Sequence, residues 1–117
     1  MRERRRYPRY NTNLQARYLY IRGMVALEEE TRLSDLSVAG MRIYLSSIVK
    51  RGDVFIVEMK LPFIGTISAM ARVIWTKAAG NTEEAGHAYR QAGVLFEWVS
   101  NENKLQDYLE ELQLKAA

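Results

Sequence analysis

Five arginines and no lysine stand among the first nine residues, MRERRRYPR. A guanidinium presents five N–H donors in a planar fork that pairs bidentately with phosphate oxygens or with the O6 and N7 edge of guanine, a geometry that lysine does not reproduce. The choice of arginine therefore points to shaped anion recognition as well as to charge. Pro8 removes a backbone donor and turns Tyr7 away from α geometry, so Arg5 to Arg9 is expected to run extended or as polyproline II. In that form Arg5 and Arg9 stand about 12–13 Å apart. Their forks then reach different parts of one ligand of dinucleotide size.

A second group is Asp35-Leu36-Ser37-Val38-Ala39-Gly40. Asp and Ser two residues apart commonly do no more than cap a turn, with Gly40 supplying a permissive backbone angle. The functional reading instead makes Asp35 the acceptor for the N1 and N2 donors of a guanine. Ser37 then adds a short hydroxyl, and Gly40 lets a ligand meet bare backbone. An acceptor here and donors in the arm together suit a guanine-bearing anion.

Other residues offer little chemistry. There is no cysteine, and the one histidine, His87, sits in NTEEAGHAY without a second histidine at metal-ligand spacing. His87 reads as an exposed loop residue, and Glu28-Glu29-Glu30 as a solvated edge or turn. Neither a nucleophile with its base nor a paired-carboxylate site is visible, so no enzyme, metal or cofactor is expected.

The net charge is +3, yet the first ten residues alone carry +4 and leave about −1 for the rest. A solubilising tail explains such a segment, and so does a small barrel that holds RNA or single-stranded DNA by its basic arm. No stretch reaches the roughly 18 apolar residues of a membrane span, and no apolar run of a signal peptide follows the arginines. A cytoplasmic protein is expected, in keeping with the missing cysteines.

These groups need elements to hold them. Leu14, Ala16, Tyr18 and Tyr20 alternate with polar residues, as do Met41, Ile43 and Leu45, and then Phe55, Val57, Met59 and Leu61. Ala69, Ala71, Val73 and Trp75 share one parity in a longer strand, and a last apolar run covers 93–99. Short strands at this spacing predict an antiparallel sandwich or small barrel. Asn81 to Gly86 reads as a polar loop. From Asn101 to Leu114 the period changes: Leu105, Tyr108, Leu109 and Leu112 mark an amphipathic helix, with Ser100 or Asn101 as N-cap. Such a helix is expected to plug the core.

The segments E-R-R-R-Y-P-R and D-L-S-V-A-G together resemble the two signatures of the PilZ domain, R-x-x-x-R and [D/N]-x-S-x-x-G, which bind the bacterial second messenger cyclic di-GMP. The Ala71–Trp75 and Gly93–Phe96 strands and the closing helix follow in the family's usual order, so the likeness spans nearly the whole chain. It implies a six-stranded antiparallel β-barrel over 13–100, a flexible basic arm over 1–12 and a C-terminal helix over 101–117. It further implies that Arg5 and Arg9 contact phosphates and guanines, and that Asp35, Ser37 and Gly40 form the second half of the site. Arg4 stands where an arginine goes with a stacked ligand dimer, so two ligands per chain are expected. Leu95 departs from the family, which often carries a polar residue there. Ordering about six arm residues costs on the order of 6–12 kcal/mol, so the arm should be mobile until ligand arrives. Charge-assisted hydrogen bonds of roughly 1.5–3 kcal/mol each, with stacking, offset that cost and leave about micromolar affinity. The resemblance thus implies a receptor and adaptor that orders its arm on the ligand and signals to an unidentified protein effector.

Overall fold

The computed structural model describes residues 8–84 and 87–116, with side chains at 8–78 and 89–115. Arg4 and Arg5 lie outside the described residues. The alternating segments form strands because one face of each finds a core. In β2 (Gln15–Arg22) Ala16, Tyr18 and Tyr20 are buried while Gln15 and Arg17 face out. Met41, Ile43 and Leu45 are buried from β4 (Gly40–Ser46), and Phe55, Val57, Met59 and Leu61 from β5 (Val54–Leu61). Each large apolar side chain so buried contributes about 1.5–3 kcal/mol.

With β3 (Val25–Leu36), β6 (Gly65–Glu84) and β7 (His87–Val99), these strands pair antiparallel in the order β3-β2-β5-β6-β7-β4. A β3–β4 ladder closes the ring, so the fold is a closed six-stranded antiparallel barrel. Closure leaves the barrel itself no open edge to template aggregation. A two-residue strand, β1 (Tyr10–Asn11), adds to the end of β3 with Tyr10 opposite Leu36 and Asn11 opposite Asp35. These residues belong to the span read from the sequence as an arm. The helix α1 (Glu102–Ala116) packs against β1 and β6 and sends Leu105, Tyr108 and Leu109 into the core. Its start is set by Asn101, whose Oδ1 accepts from the Lys104 amide at 3.0 Å.

Three segments differ from their sequence reading. The run Glu28-Glu29-Glu30 lies inside β3. Glu29 is half-buried and accepts hydrogen bonds from the Tyr18 hydroxyl at 3.1 Å and the Tyr89 hydroxyl at 2.9 Å, while the Ser46 amide donates to the Tyr18 oxygen. Burial first, and then the Glu29 carboxylate, push the Tyr18 phenol well above its usual range. On the outer face Arg17 neutralises Glu28 at 3.5 Å and Glu30 at 3.4 Å. The segment from Asn81, read as a loop, continues β6 to Glu84, which pairs with His87 at the start of β7. Glu83 also pairs there, with Ala88, after a break in register that follows Ala78. The His87 side chain lies outside the described residues.

The third difference is Trp75. It shares a parity with Ala69, Ala71 and Val73 in the sequence, which in a regular strand puts all four on one face, but the β6–β7 register steps from Val73–Val94 to Trp75–Gly93, which leaves Ile74 unpaired. This bulge reverses the phase of the strand and brings the indole to the outer surface.

Candidate ligand-binding face

The turn joining β3 to β4 holds itself together. The Ser37 amide donates to the Gly40 carbonyl at 2.8 Å, and the Ala39 and Gly40 amides both donate to Ser37 Oγ at 3.2 Å. The hydroxyl in turn donates to the Gly40 carbonyl at 3.2 Å. Ser37 is buried and caps the turn, so the simpler sequence reading holds for its present contacts. Gly40 has its own structural reason: a Cβ there would overlap the Val94 carbonyl oxygen of β7.

Asp35 is also buried, at 5% exposure. Its Oδ1 accepts from the Arg42 amide at 3.0 Å. The Arg42 Nε stands 2.9 Å from the other oxygen, Oδ2, which makes a close ion pair. That nitrogen is nonetheless buried without an aligned acceptor, because its N–H does not point along the carboxylate. Charge attraction, rather than a well-formed hydrogen bond, holds the guanidinium there.

From Asp35 the outer surface runs through Arg42 on β4 and Gly93 on β7 to Trp75 on β6, since Arg42 pairs with both Asp35 and Gly93, and Gly93 with Trp75. The indole lies over Gly93, where a Cβ would overlap its ring. The Arg42 guanidinium carbon is 6.0 Å from the centre of that ring and Lys77 Nζ is 5.8 Å from it. Two cations thus flank one aromatic ring, a cation–π arrangement that also makes this strip attractive to anions. Leu95, exposed and paired with Gly40, borders it. Arg42, Trp75 and Lys77 were not among the residues singled out from the sequence. Arg42 alternates outward in M-R-I-Y-L as any surface residue does, and Trp75 is hidden by the bulge.

The described root of the arm is β1 and the residues just before it. With Tyr10 opposite Leu36 in an antiparallel ladder, Arg9 leaves β1 on the Ser37 side. Half-buried Arg9 lines an open cleft of about 440 Å³ with Tyr10, Asn11, Leu112 and Lys115. A larger cleft of about 730 Å³ lies elsewhere on the barrel, with Arg17, Arg32 and Lys60 beside Glu30 and Glu58 in its wall. Asp35, Ser37 and Gly40 do not line it. Among the described residues no group of three metal-ligating side chains is placed to hold an ion, and no helix is long and apolar enough to cross a membrane.

Three comparisons bear on this arrangement. The chain is similar to the PilZ domain of YcgR from Escherichia coli, solved with c-di-GMP, at 22% identity and a TM-score of 0.72, over 97% of this chain and 95% of that one. It is similar to the Bacillus subtilis inhibitor of motility MotI/DgrA at 16% identity and a TM-score of 0.72, over 97% of this chain and 51% of that one. The K. pneumonia MrkH–c-di-GMP complex follows at 16% identity and a TM-score of 0.71, over 99% and 55%. The chain spans about half the length of these last two. No curated protein gives a match. The family model described as PilZ domain matches residues 3–111, both signatures included, and this chain belongs to the PilZ domain family.

Proposed function

We propose that this chain is a receptor for cyclic di-GMP, which it takes up between the arginine arm and the Asp35–Gly40 turn. The observation that supports the reading is the β1–β3 register, which sets Tyr10 opposite Leu36 and Asn11 opposite Asp35, so that the chain enters β1 from the Ser37 side. Arg5 and Arg9 pair with phosphates and guanine edges, Arg4 supports a second, stacked ligand, and Asp35 accepts from a guanine. Ser37 and Gly40 keep the turn that aims Asp35. The solved complexes of YcgR and MrkH with c-di-GMP, on this same fold, support the choice of ligand. Binding closes the arm over the barrel and forms a new surface that a protein effector reads, an order-on-binding switch without chemistry of its own.

Titration of the cyclic dinucleotide against its linear counterpart and an RNA homopolymer tests this. Selective binding of the cyclic form with about two ligands per chain is expected. Binding that strengthens with strand length and falls steeply with salt would assign the arm to nucleic acid instead.

A further inference from the structure

The Arg42 guanidinium occupies the carboxylate that the ligand's guanine is meant to use. The N1–C2–N2 edge of guanine is itself a guanidine fragment, so a guanine and an arginine side chain address a carboxylate with the same pattern of N–H donors. We propose that Arg42 is a built-in competitor for Asp35, a stand-in for guanine that the ligand displaces and that thereby sets the affinity of the site. This rests on the reading of the site as a guanine-nucleotide receptor, and extends it to how the site is regulated.

The two oxygens of Asp35 divide the work. Oδ1 takes the Arg42 backbone amide at 3.0 Å, a bond from the β4 main chain that does not depend on the Arg42 side chain. The carboxylate is therefore aimed permanently, and Oδ2 is the atom in contest. On Oδ2 the Arg42 Nε sits at 2.9 Å with its N–H off line. Such a contact neutralises a buried carboxylate, which would otherwise stand uncompensated, yet it forfeits the alignment that makes charge-assisted bonds strong. A guanine offering two aligned donors improves on it. The displaced guanidinium has somewhere to go, because the Trp75 ring centre is already 6.0 Å from its carbon and offers a cation–π contact. In most molecules Arg42 holds Oδ2, and only the fraction in which the guanidinium has moved onto the indole takes the ligand. The apparent dissociation constant exceeds the intrinsic one by the inverse of that fraction.

The test is stopped-flow and calorimetric titration of cyclic di-GMP on the full chain as wild type, Arg42→Gln and Arg42→Lys. Glutamine removes the charge and the fork while leaving the backbone bond to Oδ1. Arg42→Gln should bind about tenfold tighter, with the gain in the association rate and the dissociation rate unchanged. Arg42→Lys, which keeps a cation beside Asp35 without the fork, should show a smaller gain of the same kind. If Arg42→Gln does not fold, as judged by its urea transition, the lysine variant decides alone and must associate faster than wild type. Equal or weaker binding by the folded variants overturns the competition while leaving the receptor reading intact. Absence of binding in all three proteins overturns the receptor reading itself.

Discussion

Asn11 stands opposite Asp35 in the β1–β3 ladder, and this short pairing ties the root of the arm to the strand that leads into the Ser37 turn. Next to it the Thr12 amide donates to the Ser34 carbonyl at 3.1 Å, and Thr12 Oγ1 lies 3.4 Å from the Tyr108 hydroxyl of α1. The arm's root is therefore fixed to the barrel and to the helix at one place.

Replacing Thr12 with proline removes the amide of that bond and so loosens the root without touching a ligand-contacting residue. Stability should fall by only about 1 kcal/mol. Affinity for cyclic di-GMP should fall at least tenfold, because the arm is no longer anchored along the end of β3. Parallel urea denaturation and calorimetry check the split. Unchanged affinity in the folded variant would mean that the arm finds the site without β1.

Gly40 separates fold from function. A methyl group there would overlap the Val94 carbonyl, so Gly40→Ala must push β4 and β7 apart. A stability loss of about 3 kcal/mol or more, read as a lower urea midpoint, is expected whether or not ligand is present. Were Gly40 important only for contact with ligand, the apo protein would tolerate the alanine.

How far the sequence carries these conclusions depends on whether a signal is local. The Asn101 cap, the helix stripe through Leu105 and Leu109, and the inward alternation of β2, β4 and β5 are local, and each stands as read. The Asp35–Gly40 turn is also local, since Ser37 is satisfied entirely by residues within three positions of it. Glu29 was not legible in this way. Its partners Tyr18 and Tyr89 come from β2 and β7, so only the closed barrel turns an acidic run into strand. Trp75 failed for a different reason, as one unpaired residue, Ile74, reverses every parity after it. Arg42 carries no motif at all, and its significance is a matter of which carboxylate lies across the ladder.

Acid should expose the role of Asp53. Burial works to raise its pKa, but the Tyr20 hydroxyl donating at 2.5 Å, the Lys50 amide at 2.9 Å and the nearby Arg22 outweigh it and hold the carboxyl below its usual value. The unfolded chain therefore takes up this proton first as the pH falls. The stability that Asp53 contributes is present above its ordinary value of 3.8 and is lost as the pH drops through its lower folded value. Urea titrations from about pH 6 down to about pH 2 should show a shallower acid-side decline in Asp53→Asn than in wild type. An identical slope would place the acid lability elsewhere.

The central claim is that the arm and the Asp35 turn bind one guanine-bearing diphosphate ring together. Isothermal calorimetry of cyclic di-GMP against the wild type and Arg5→Ala, Arg9→Ala and Asp35→Ala variants of unaltered fold tests it most directly. The account predicts about micromolar binding by the wild type and its loss, by a hundredfold or more, in each of the three variants. Full-strength binding in Asp35→Ala, or no heat from the folded wild type, would contradict it.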